Sequence, residues 1–131
     1  MSKSKDKVLY KDLSYLIVGV LFEVYNELGF GYSEKVYERA VAKSFEDRRI
    51  NYIQQAPYKI VFKDQIIGRN YIDFIVENCI VLELKKGDYF SRKNIEQIKK
   101  YLKITNLKLA IIANFTSKGV KTFRAFNPNN K

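Results

Sequence analysis

The chain has 131 residues, 47% of them hydrophobic and 29% charged, which suits one folded domain with its own core. It carries 24 Lys and Arg against 14 Asp and Glu, a net charge of +10, which excludes an acidic disordered chain and points to a polyanionic partner. There is no histidine and one cysteine, Cys79, so His-dependent nucleophile pairs, internal disulfides and zinc or iron–sulfur sites are excluded. Carboxylate, lysine and an oxygen-loving metal remain for chemistry.

Met1 to Lys7 and Asn127 to Lys131 read as loose ends of a single domain spanning 1–131. Asp12 is the expected N-cap of the first helix, whose apolar positions run from Leu13 to Leu28 at helical spacing until Gly29 stops it. Ser33 caps a second helix reaching about Arg49, with Val36, Tyr37, Ala40, Val41 and Phe45 as its inner face. Alternation then predicts strands around Tyr58–Lys63, Ile66–Val76 and Cys79–Lys85, joined by turns at Lys63-Asp64-Gln65 and Glu77-Asn78. A third helix is expected from Ser91 to about Lys103, and strands at Leu107–Phe115 and Val120–Phe126. The order αα-βββ-α-ββ predicts an α/β fold with helices packed on a central sheet.

Position makes the charge more informative. Residues 1–84 hold 12 basic and 12 acidic side chains, whereas residues 85–131 hold 12 basic ones and only Asp88 and Glu96. The whole excess therefore begins at Lys85. A lysine-rich solvated surface is the plain alternative. The absence of a long apolar run or a signal-peptide core suggests a cytoplasmic protein with no membrane partner, and a lone cysteine suits a reducing compartment.

The third strand holds an anomaly. Glu83 and Lys85 share a face of a strand apolar enough to be central, while Asp73 sits on the strand before it. The hairpin lets the two carboxylates meet, which is costly without a cation between them. Mg²⁺ or Mn²⁺ prefers such hard oxygens. Composition alone supplies roughly one Glu-x-Lys, so a solvated Glu–Lys pair on an amphipathic strand is the competing reading. Gln97 and Tyr101 share a helix face, and Glu34 lies in the first turn of helix two, where the dipole favours a negative charge. Taken alone, these read first as an ordinary surface pair and as helix-terminus electrostatics.

The run Leu28-Gly29-Phe30-Gly31-Tyr32-Ser33-Glu34-Lys35-Val36-Tyr37 resembles the signature of the GxxExxY protein family, with Gly31, Glu34 and Tyr37 in the named positions. Gln55, Asp73, Glu83-Leu84-Lys85, Gln97, Tyr101 and Asn114-Phe115 follow in that family's order, so the likeness covers about residues 12–126. The family is similar to the PD-(D/E)XK nuclease superfamily, which implies a restriction-endonuclease-like αβββαβ core: a central mixed sheet flanked by helices. The resemblance assigns Mg²⁺ to the equivalents of Asp73 and Glu83, completed by Glu34. It gives Lys85 the attacking water or transition-state charge, and Gln97 and Tyr101 a RecB-like role in substrate binding. Asn94 stands where family members commonly carry His, and Phe30 where Pro is frequent.

These readings predict a metal-dependent nuclease cutting phosphodiester bonds in nucleic acid, DNA before RNA. The Leu84 carbonyl would share the metal, and Lys86, Arg92, Lys93, Lys99, Lys100 and Lys103 would track phosphates. Tyr89 and Phe90 are candidates for base stacking or for packing. The alternatives are a non-catalytic nucleic-acid-binding or assembly subunit with the same fold, and a module whose basic face meets an acidic protein. A homodimer is compatible with each.

Overall fold

The computed structural model describes residues 2–127, with side chains from Tyr10 onward. Helices α1 (Ser2–Leu28) and α2 (Glu34–Asp47) precede strands β1 (Tyr52–Phe62), β2 (Gln65–Val76) and β3 (Ile80–Lys86). Helix α3 (Arg92–Thr105) then leads to β4 (Leu109–Thr116) and β5 (Gly119–Phe126). The five strands form one sheet in the order β1-β2-β3-β4-β5, antiparallel throughout except for the parallel β3–β4 pair. The expected element order and mixed sheet are both present. The parallel pair follows from α3, which carries the chain back across the sheet between β3 and β4.

Local chemistry sets the joints. Gly29 (φ +74°) and Gly31 (φ +116°) turn α1 into α2 through backbone conformations that favour glycine. Ser33 then caps α2 by accepting from the Val36 N–H, and Ser91 caps α3 by accepting from Asn94 N–H. Lys63-Asp64 and Glu77-Asn78 both have positive φ at two successive residues, as tight hairpin turns with right-handed strand twist require.

Two ends differ from expectation. Helix α1 starts at Ser2, so Asp12 lies inside it rather than capping it. The polar stretch ahead of Asp12 contains no Gly or Pro to stop a helix, and this lets α1 extend. At the other end Asn127 is buried, its amide donating to the Leu102 and Leu107 carbonyls. Residues 128–131 lie outside the described residues.

The sheet separates two apolar layers. On one side α1 and α2 pack Leu13, Ile17, Leu21, Val41 and Phe45 against Phe74, Ile80, Leu82, Leu84 and Phe115. On the other, α3 places Ile98, Tyr101 and Leu102 on Val81, Ala110 and Ile112. The expected split of β3 holds: Ile80, Leu82 and Leu84 face one layer, while Val81 faces the other. Cys79 is half-buried against the first layer.

Candidate active site at the parting of β2 and β3

Strands β2 and β3 pair over only three positions, Phe74↔Leu82, Ile75↔Val81 and Val76↔Ile80. Continuing the register would set Asp73 opposite Glu83. There the backbone ladder stops and the side chains take it over. The Asp73 N–H donates to Glu83 Oε1 at 2.7 Å, and the Leu84 N–H donates to Asp73 Oδ2 at 2.9 Å. Each carboxylate thus holds the other's strand. Charge-assisted bonds of this type are stronger than the amide–carbonyl bonds they replace, so the gap in the ladder leaves neither N–H orphaned.

The second oxygens of the pair are differently employed. Asp73 Oδ1 accepts from Gln55 Nε2 at 3.2 Å, and Glu83 Oε2 lies 3.9 Å from Lys85 Nζ. Glu83 is 3% exposed. Burial, and then the Asp73 charge beside it, push its carboxyl up to about 8, against the pull of the Asp73 N–H and of Lys85. Burial pushes Asp73 up too, while the Leu84 N–H draws it down. Lys85 alone therefore leaves the pair short of positive charge. Two adjoining carboxylates short of positive charge are the donor chemistry that a hard divalent cation fits.

Glu34 is held at the rim. Its Oε2 accepts from the Lys86 N–H at 3.2 Å, and its charge contributes to raising Glu83. Among the described residues no group of three acids is gathered closely enough to make a ready cation cage. The neighbouring motif residues do structural work: Tyr37 is fully buried, stacks on Phe115 with ring centres 4.1 Å apart, and donates its hydroxyl to the Gly29 carbonyl. Gly31 and Tyr37 thus fix the joint that presents Glu34.

Tyr101 differs from expectation. It is 2% exposed and belongs to the α3-side core, edge-on to Tyr58, with its hydroxyl donating to the Tyr71 carbonyl at 3.4 Å. Burial, then the charge on Glu83, raise its hydroxyl above the ordinary tyrosine range. Gln97 lies one turn earlier and is half-buried. The predicted phosphate-tracking residues Lys86, Arg92, Lys93, Lys99, Lys100 and Lys103 are all exposed. Tyr89 is 87% exposed, whereas Phe90 packs on Phe123.

Glu38 escaped the sequence reading, and the parts played by Gln55 and Asn114, quoted there only for their order, were not read from it. Glu38 accepts from both Gln54 and Gln55, and its charge helps raise Asp73. It stands one turn after Glu34, and that i,i+4 spacing was the available signal. Gln55 itself, noted only for its place in order, has a left-handed backbone (φ +52°) in mid-strand, where its amide bridges Glu38 and Asp73. No propensity rule marks a Gln for that conformation. Buried Asn114, opposite Lys85 in the β3–β4 register, donates to the Gly87 and Tyr89 carbonyls and pins the loop ahead of α3.

A mixed sheet with helices on both faces, carrying Asp and Glu-x-Lys on adjacent strands, defines the nuclease-like α/β class. The profile of the PD-(D/E)XK nuclease superfamily matches residues 11–126, and the chain belongs to that superfamily. No curated protein matches it significantly. Among solved structures it is similar to one titled "Crystal structure of SSO0001", with a TM-score of 0.53 and 16% identity over 72% of this chain. The match covers 50% of that chain, so this protein spans about half the length of its structural neighbour, and the likeness is one of fold. No helix among the described residues is long and apolar enough to cross a membrane.

Proposed function

We propose that this protein is a metal-dependent nuclease that hydrolyses phosphodiester bonds in DNA, acting in the cytoplasm. The observation that carries the reading is the reciprocal clasp of Asp73 and Glu83 at the end of the β2–β3 ladder, with Lys85 beside it. A surface Glu–Lys pair has no reason to bury its glutamate to 3% exposure, or to have that carboxylate stand in for backbone pairing. Asp73 and Glu83 would hold Mg²⁺ or Mn²⁺, with Glu34 and the Leu84 carbonyl as further oxygen donors. When bound, the ion supplies a more acidic water and neutralises phosphate charge.

The chain's own groups do the rest. Lys85 keeps its ammonium within ion-pair reach of Glu83, so its charge is in place before the phosphate develops more negative charge in the transition state. Gln55 orients Asp73, and Glu38 orients Gln55. Tyr101 closes the α3 side of the pair, and Gln97 above it is available to substrate. The exposed lysines and arginine from Lys86 through α3 form a basic rim for phosphates. The likeness of Gly31, Glu34 and Tyr37 to the GxxExxY signature supports the same assignment of Glu34.

The test is incubation with Mg²⁺ or Mn²⁺ and single-stranded, duplex, branched and RNA substrates, beside Lys85→Ala and Glu83→Ala proteins. Cleavage by the parent protein that is lost in both variants is the expected result. Equal cleavage by parent and Lys85→Ala would mean a contaminating nuclease and would sink the proposal.

A further inference from the structure

Beyond Asp73 the β1–β2 hairpin leaves the body of the sheet. Because β3 meets β2 only from Phe74 to Val76, residues 65–72 pair with β1 alone and form a two-stranded ribbon. The ribbon's two faces are unlike. Ala56 and Ile72 are buried in the α3-side core, and Tyr58 lies edge-on to Tyr101 while accepting from Asn70 Nδ2. The alternate residues Pro57, Lys59, Arg69 and Tyr71 are exposed. Side chains two apart share a face within the ribbon, so Arg69 and Tyr71 lie together on the side away from Ile72; the alternation breaks at Asp73, because Ile72 and Phe74 lie in opposite layers.

Lys59 and Arg69 are direct cross-strand partners. Like charges in that position repel, and no carboxylate pairs with either among the described residues. The arrangement suits an anion lying across both. A strand advances about 3.3 Å per residue, so Arg69 stands roughly 13 Å along the ribbon from Asp73, with Tyr71 halfway. Neighbouring phosphates of one strand lie closer together than this, so the span corresponds to a few nucleotides.

We infer that the exposed face of this hairpin is a track for one strand of the DNA substrate. Lys59 and Arg69 hold a phosphate a few nucleotides from the one at the acids, and Tyr71 lies against the nucleotides between. The inference rests on the nuclease reading and adds a second phosphate-binding element, on the opposite side of the acids in sequence from the basic α3. Summed charge conceals it, because residues 1–84 are neutral overall.

The experiment compares the parent protein with Lys59→Gln/Arg69→Gln and with Lys11→Gln/Lys43→Gln. The second double variant removes the same charge from exposed positions on α1 and α2. Binding of fluorescein-labelled DNA, as a 16-nucleotide single strand and a 16-base-pair duplex, is followed by anisotropy in EDTA from 25 to 200 mM salt. Melting temperatures confirm that all three fold. The ribbon variant is expected to bind roughly tenfold more weakly at 100 mM salt, with a shallower salt slope by about one to two. The control should match the parent. Unchanged affinity in the ribbon variant, or an equal loss in the control, overturns the track while leaving the nuclease reading intact. No binding of either DNA by the parent protein overturns both. Dimers in sedimentation that disperse on Phe62→Ser/Ile67→Ser would make the ribbon a contact between copies and also overturn the track.

Discussion

The two layers flanking the sheet divide the molecule's work. The α1/α2 layer is apolar and aromatic, with Tyr37, Phe45, Phe74 and Phe115 fully buried and in ring contact with aromatic neighbours. The α3 layer is smaller and admits polar groups: Tyr101 lies in it, and Glu83 follows Val81 on the same face of β3. The difference teaches where stability and chemistry are stored. One layer can lose a ring and keep its charges in place; the other can lose a charge and keep its packing.

The largest effect that separates them should come from Phe45→Ala. A buried ring packed on Tyr52 and Phe74 is lost, and unfolding by urea should show about 3–5 kcal/mol of destabilisation. The surviving folded protein should still bind divalent cation, because the ring of Phe45 packs on Tyr52 and Phe74 in the apolar layer; lost cation binding would break the division. Lys85→Ala is the counterpart. It should leave the urea midpoint nearly unchanged and lower cleavage about 10²–10³-fold.

Glu83→Gln sharpens the contrast through pH. The folded-state pKa of Glu83 is raised to about 8 from an ordinary 4.5, so the fold takes up a proton that the unfolded chain releases. The metal-free protein should therefore lose stability as pH climbs from about 4.5 to 8, then level off. Asp73, Glu34, Lys85 and Tyr101 are the charged or titratable groups facing Glu83 in this balance. Thermal melts of Glu83→Gln should be flatter over that window and, at pH 8, exceed the parent by an amount on the order of a few kcal/mol. A steeper slope in the variant would contradict the burial of the charge. The smallest effect belongs to Tyr37→Phe, which removes only the hydrogen bond to Gly29 and should cost about 1 kcal/mol in urea unfolding.

Much of this was legible beforehand, for identifiable reasons. Period-3.6 and period-2 patterns are strong in α2, α3 and β3, and Ser33, Ser91 and Gly29 mark helix ends by chemistry that acts locally. The facing of Asp73 and Glu83 followed from the length of one tight hairpin. What was hidden depends on tertiary context. Glu38 matters only because Gln55 departs from strand geometry to meet it. Tyr101 reads as a polar tip on its helix until Tyr58, from another strand, covers it. The length of β1 was hidden too: Tyr52 to Pro57 lacks clean alternation because Gln54 and Gln55 both reach the same acid on α2.

The clasp of Asp73 and Glu83 has one more consequence. Two backbone amides, those of Asp73 and Leu84, end on carboxylate oxygens instead of carbonyls, so their hydrogens sense the charge on the opposing strand directly. The protein carries its own pair of reporters. In a nitrogen–proton correlation spectrum these two resonances should move together as Glu83 titrates, and again as an ion enters, while the Ile75 and Val81 amides a few residues away hold still. Site occupancy becomes readable without substrate or turnover.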